Sequence, residues 1–202
     1  MTGIYLWENH VDKVVIKLLD ILDTKQYGEN TLLKVDYSLR VIIGETEKIT
    51  LLCILFGMAG YLMDFVVAFG VVILLRTCTG GVHRKTILGC FLQSLLTLSI
   101  IVFLGKNVML KNVVCVPAIL VLVILILCFA PIQSENRIHY SEKQRMGFKV
   151  KALIRMTVVL LSSGYMGKEL SNIVMTAVFA HMLEMTFLCT QKWRKEVFRD
   201  EA

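Results

Sequence analysis

The sequence predicts an all-α integral membrane protein with about six membrane segments (four to six, some short or re-entrant), preceded by N-terminal amphipathic helices. Three observations carry that expectation. Of 202 residues, 56% are apolar and only 19% charged, against roughly 45–50% and about 25% in an ordinary soluble domain. The apolar residues gather into long runs that one water-soluble core of this size cannot hide. The first 48 residues differ: they carry 8 acidic and 6 basic side chains and no long apolar stretch. Nothing there resembles a basic start leading into an apolar run and a small-residue cleavage site, so the N-terminus is expected to be retained.

Residues 4–23 place Trp7, Val11, Val14, Leu18 and Leu22 at three- and four-residue steps, with Glu8, Asp12, Lys13, Lys17 and Asp20 around the rest of the wheel. That spacing predicts an amphipathic helix. Gly28 and Asn30 break it, and residues 31–43 mix Leu32, Leu39 and Ile42 with Lys34, Asp36 and Arg40. Both segments are too polar to span a membrane. They suit its surface, or packing against each other beneath it.

From 49 to 75 only Asp64 is charged. A helix of that length would reach roughly 40 Å, beyond a hydrocarbon core of about 30 Å, and a carboxylate at its centre would be costly. The run is therefore expected to break near Asp64 into 49–63 and 65–75; a single tilted span is the alternative. Residues 86–104 and 108–130 read as ordinary spans joined by a turn with Lys106 and Lys111. A polar, basic stretch follows from Pro131 to Arg155. The last apolar region, 156–190, is interrupted at Lys168 and Glu169 and reads as a short segment followed by a fuller one. The expected organisation is thus 1–48 as N-terminal cytoplasmic helices, 49–190 as a membrane domain with a basic loop at 131–155, and 191–202 as a tail.

Charge predicts orientation, because Lys and Arg near span ends are retained in the cytoplasm. Arg76, Arg84 and Lys85 make one loop +3, and six basic residues against Glu135 and Glu142 make 131–155 +4. With six segments, these loops and both termini face the cytoplasm. A single span over 49–75 would move the N-terminal helices to the other face.

Six cysteines do not make a disulfide framework here, since Cys53, Cys115, Cys128 and Cys189 sit in or beside apolar runs as buried thiols. Cys78 and Cys90 flank a polar island, Arg76 to Lys85, that contains Gly80, Gly81 and His83. Two consecutive glycines end one helix and permit a turn into the next. His83 and Cys90 are seven residues apart; on one helix that is about 10.5 Å of rise, too far for a hydrogen bond. A working pair needs His83 on the glycine turn, folded back toward the first turns of the helix bearing Cys90. A neighbouring imidazole and a helix N-terminus both favour nucleophilic thiolate in general. On spacing alone the more ordinary reading is an interfacial His among basic residues and one more helix-buried Cys. Cys78, His83 and Cys90 match no common zinc pattern. His139 lies among charged loop residues, while His181 and Glu184 share a helix face in the last apolar segment and suit a pair or an interfacial position.

The segment from Arg76 through Gly81 and His83 to Cys90, continued by Phe91, Leu92, Gln93 and Ser94, resembles the active-site segment of the AgrB family. These are membrane cysteine endopeptidases that mature the peptide precursors of Gram-positive quorum sensing. The family pattern of Arg, Gly, His two residues later and Cys seven after the His is met at Arg76, Gly81, His83 and Cys90. Ala130, Pro131 and Asn136 resemble the family's Ala-Pro and Asn ahead of a basic loop, and the similarity covers roughly residues 30–190.

The resemblance implies a multi-pass cell-membrane enzyme of a Gram-positive bacterium, with Cys90 as nucleophile and His83 as base. Arg76 and Gly81 would support them, Gly81 through turn geometry and Arg76 through charge. The implied substrate is an AgrD-like precursor with an amphipathic leader, a central signal containing Cys or Ser, and an acidic tail. From their charge, Arg76, Arg84, Lys85 and part of the stretch from Arg137 to Arg155 are expected to receive that tail, the alternative being that these loops only obey the positive-inside rule and meet anionic lipid headgroups. The tail leaves as Cys90 takes the acyl group, and an internal nucleophile closes a thiolactone or lactone. No cofactor, metal or nucleic acid is called for. Lipid is the other partner, and a second copy of the chain stays open. Asp64, Gln93 and Glu184 are candidates to orient His83. A peptide exporter or a non-catalytic scaffold are the competing classes; the chain has no nucleotide-binding loop, and Gly80-Gly81 is not a phosphate-binding motif.

Overall fold

The computed structural model describes residues 2–21, 29–81, 86–109, 112–132 and 140–200. Among the described residues there are seven helices and no strand: α1 (Thr2–Ile21), α2 (Glu29–Met58), α3 (Leu62–Thr79), α4 (Ile87–Asn107), α5 (Asn112–Phe129), α6 (Glu142–Tyr165) and α7 (Lys168–Asp200). They form two compact units. One comprises Met1–Leu62 with His83–Leu96, the other Met63–Val82 with Thr97–Ala202.

In the first unit α1 and α2 pack as an antiparallel hairpin. Val11 and Val15, one turn apart on α1, are buried between them. Polar clamps flank this apolar stripe. Arg40 binds Asp36 one turn back (2.9 Å) and Asp12 on α1, and His10 meets Glu47 at 3.0 Å. Hydrogen bonding to Asp36, then the charges of Asp12 and Asp36, raise the Arg40 pKa against the opposing effect of its partial burial. Residues 31–43 and the larger part of the segment expected at 49–63, read as separate, lie on this one helix. Only Gly44 interrupts their helix-forming residues, and a lone glycine costs about 1 kcal/mol, too little to break thirty residues of helix. Gly44, Lys48, Leu52 and Phe56, spaced by four, form the buried row of α2.

The break expected in the 49–75 run exists, but it lies at residues 59–61 and not at Asp64. Gly60 adopts φ +79°. The Gly60 N–H bonds the Gly57 carbonyl at 3.1 Å and the Tyr61 N–H bonds the Phe56 carbonyl at 2.8 Å, the paired bonds of a Schellman C-cap. Glycine geometry sets the turn. Asp64 instead occupies the first turn of α3, where a carboxylate meets the positive end of the helix dipole.

The second unit is built on α7, which packs along α5 and α6. The C-terminal end of α4 approaches α7 closely. A Cβ on Gly105 would stand 2.8 Å from Ile173 Cγ1 and 2.9 Å from its Cα, and the Asn172 amide donates to the Gly105 and Val108 carbonyls. Lys106 pairs with Asp64 at 2.9 Å. The basic stretch 131–155, read as a loop, is helical from Glu142 onward. Ser141 caps that helix by a reciprocal box, its hydroxyl accepting from the Gln144 N–H while the Gln144 side chain accepts from the Ser141 N–H. The final apolar region breaks at residues 166–167, just ahead of Lys168 and Glu169 as expected.

Among the described residues, three helices are long and apolar enough to cross a membrane, over Leu62–Thr79, Ile87–Asn107 and Lys168–Gln191, and Val114–Phe129 is a shorter apolar helix. Residues 49–58 and 156–165 add two short apolar helix ends. Their outer faces are greasy: Leu96, Ile100 and Phe103 on α4, Val116, Leu120 and Ile124 on α5, and Ile154, Val158 and Leu161 on α6 are all more than half exposed. Rows of exposed large apolar side chains at helical spacing are what lipid, not water, accommodates. The chain is a multi-pass membrane protein.

Candidate active site

Cys90 owes its position to the way α4 begins. The Thr86 hydroxyl accepts the Gly89 N–H at 3.1 Å, and the Thr86 carbonyl accepts the Cys90 N–H at 3.1 Å. Thr86 is thus the N-cap and Cys90 completes the first turn, near the helix end whose free N–H groups carry partial positive charge. The thiol is half-buried. Across from it on α2 lies Lys48, only 8% exposed, with Nζ 3.7 Å from Cys90 Sγ and a second bond to Glu45 one turn earlier. Gly44 faces Ile87, where a Cβ would sit at 3.8 Å, ordinary contact distance. A small residue there lets the two helices meet and brings Lys48 to the sulfur.

Sequence reasoning did not find Lys48. Its signal is faint: one cation in a four-spaced row of otherwise small or apolar residues. His83, Arg84, Lys85 and Asn136 lie outside the described residues, as does the folding back of His83 that a direct pair requires.

The first half of the motif is anchored in the second unit. Gly80 ends α3 with φ +90°, its N–H bonding the Arg76 carbonyl at 2.9 Å. A Cβ there would collide with the Ile132 carbonyl, and Ile132 in turn donates its N–H to the Thr79 carbonyl at 2.9 Å. The Ala130-Pro131 pair, joined by a cis peptide, is buried just before this contact. Gly81 lies against the Arg76 side chain so closely that a Cβ would overlap its Nε, Cδ and Cγ. The two positions expected to support catalysis therefore pack on one another.

Arg76 extends to Glu184 on α7, Nη2 to Oε1 at 3.2 Å. Glu184 also approaches His181 Nδ1 at 3.7 Å, and the other ring nitrogen, Nε2, lies 3.0 Å from the Thr79 hydroxyl. His181 and Thr79 are both essentially inaccessible. The Thr79 hydroxyl donates to the Leu75 carbonyl at 3.0 Å, which leaves its oxygen free to accept a proton carried on His181 Nε2. The expected His181–Glu184 proximity is present, and it is the middle of a longer line running Arg76, Glu184, His181, Thr79.

Among the three residues considered for orienting His83, Asp64 is paired with Lys106 and Glu184 with Arg76. Gln93 lies three residues beyond Cys90 on α4, a spacing that shares a helix face. Cys78 is buried at the end of α3.

The fold and this geometry define a multi-pass helical membrane protein with a thiol at the capped start of an apolar helix and a cation beside it. A family model, AgrB (Accessory gene regulator B), matches residues 11–188, and the chain belongs to that family. It is also similar to a "Putative AgrB-like protein" of Clostridium beijerinckii, 25% identical over 166 residues covering 81% of each chain. No solved structure matches. AgrB is a peptidase family, and membership implies a role in processing AgrD-type peptides in quorum sensing.

Proposed function

We propose that this chain is a cysteine endopeptidase that removes the C-terminal tail of an AgrD-like precursor and passes the remaining acyl group to an internal nucleophile. The observation that carries the reading is Cys90 itself: half-buried, in the capped first turn of α4, seven residues after the motif histidine. Its sulfur attacks the scissile carbonyl carbon while His83 takes the thiol proton. The carbon–nitrogen bond breaks, that proton leaves on the new amine of the tail, and the signal segment remains as a thioester on Cys90. A thiol within the signal then attacks the same carbonyl. Its proton returns through His83 to the Cys90 sulfur, and the ring closes as a thiolactone; a serine hydroxyl gives a lactone.

Exchange of one thioester for another nearly conserves acyl energy, whereas hydrolysis discharges it. A site walled by apolar helices suppresses the competing water. Arg76 and Gly81 act as supporting positions and Arg84 and Lys85 receive the acidic tail. Both termini face the cytoplasm, where the precursor is made, and the membrane domain occupies 49–190.

Substituting Cys90→Ala or His83→Ala abolishes precursor cleavage while membrane insertion persists. Alanine at Cys53, Cys115, Cys128 or Cys189 leaves most of it. Release of the tail by Cys90→Ala would return the chain to the non-proteolytic readings, exporter or scaffold.

A further inference from the structure

We propose that Lys48 is a catalytic residue, its ammonium group stabilising the negative charge that the Cys90 sulfur carries as it attacks the precursor; the inference rests on Cys90 being the nucleophile. Geometry comes first. Lysine is rarely this buried without a polar partner, and Lys48, at 8% exposure, has Cys90 Sγ at 3.7 Å and the Glu45 carboxylate behind it. Packing alone does not ask for a cation, because the other members of its row are Gly44, Leu52 and Phe56. An unbranched apolar side chain would fill the same space without desolvating a charge.

The chemistry follows from which state of the sulfur benefits. A neutral thiol or thioester gains little from an adjacent ammonium, but a thiolate gains a direct ion pair. Only an interaction stronger in the reacting state than in the resting state accelerates a reaction. In the proposed sequence the sulfur is charged twice, on attacking the precursor and again on leaving when the ring closes. Lys48 therefore serves both acyl transfers, and it needs no proton exchange to do so. Glu45 offsets only part of the lysine's charge; its side chain is 44% exposed against 9% for that of Lys48, so water screens the carboxylate more than the ammonium.

The test uses full-length chain in membranes and reads alkylation of the Cys90 peptide by mass spectrometry, with neutral iodoacetamide and anionic iodoacetate in parallel. Lys48→Met lowers the iodoacetate-to-iodoacetamide rate ratio roughly three- to tenfold, the range for losing a cation about 6 Å from the reagent's carboxylate. It also slows precursor cleavage about 10- to 100-fold, and Lys48→Arg recovers most of both losses. A lysine whose ammonium does not stand beside the sulfur would not move the ratio. An unchanged ratio in inserted Lys48→Met overturns the electrostatic role, and unchanged cleavage beside a lowered ratio overturns the catalytic one. Glu45→Gln keeps Lys48 and removes its carboxylate, so the ratio rises; a ratio that does not rise overturns the proposal even where Lys48→Met fails to insert. Alkylation does not depend on cleavage. Cys90→Ala in the same membranes therefore tests the nucleophile separately, and its continued cleavage would sink the proposed function whatever the ratio shows.

Discussion

Replacing Glu184 by Gln removes the carboxylate that stands 3.2 Å from Arg76 while keeping the size of the side chain. Two opposite charges at that separation attract by about 1 kcal/mol in bulk water and about 5 kcal/mol at an effective dielectric of 20. The side chains are 25% and 19% exposed, between those limits, and part of the attraction is offset by desolvation. A coupling of about 2 kcal/mol is the resulting expectation, above the scatter of about 0.5 kcal/mol seen for independent sites. The assay is a double-mutant cycle of Arg76→Gln, Glu184→Gln and both together, read by unfolding in mixed micelles and by precursor cleavage. The exchanged pair, Arg76→Glu with Glu184→Arg, adds a second arm. Exchange restores the charges but not the arginine stem against Gly81, so it recovers stability and not cleavage. A coupling below about 0.5 kcal/mol, or full cleavage by the exchanged pair, would refute the idea that Glu184 holds Arg76 in place for the glycine turn.

Gly105→Ala forces a methyl into Ile173 and costs about 1–3 kcal/mol, as overpacking does, whereas Gly147→Ala on α6 meets open space and stabilises by about 0.5–1 kcal/mol; micelle unfolding reads both. Charge reversal at Arg84 and Lys85 raises the apparent KM for an acidic-tailed precursor, and a precursor with a partly basic tail recovers some of that loss. Equal relative efficiencies for the two precursors in a normally inserted enzyme would remove these residues from tail recognition. Single cysteines introduced near residues 10 and 198 react with impermeant thiol reagents only after the membrane is opened, while one near 107 reacts in intact cells; external labelling at residue 10 would reverse the assigned orientation of the N-terminal helices.

Much of the fold was legible because its determinants are local. The 27-residue run from 49 to 75 is too long for one untilted helix, and it does break. The charge of Asp64 points to the wrong residue for the break, because the left-handed Gly60 closes the helix and the carboxylate goes to Lys106. The start of α6 was equally readable, since Ser141 and Gln144 have the spacing of a capping box. Counting the basic residues around it made the stretch look like a loop. Charge composition reports which side of the membrane a segment prefers and says nothing about whether its backbone is helical.

The site divides along the same line between local and tertiary information. Cys90, Arg76 and Gly81 are marked by a motif confined to fifteen residues, and the helix start at Thr86 is local too. What surrounds them is not. Lys48 is 42 residues from Cys90 and Glu184 is 108 from Arg76, and no periodicity along the chain encodes either meeting. Each depends on two helices approaching closely enough to bury a charge; Gly44 faces Ile87 where α2 meets α4, while Gly81 packs on the Arg76 stem within its own segment. A helix that buries Lys48, or largely buries Glu184, accepts a desolvation cost that an apolar residue would avoid. Stability alone therefore argues against both residues, and the contacts they make with Cys90 and Arg76 are the places to look for what the protein gains in return.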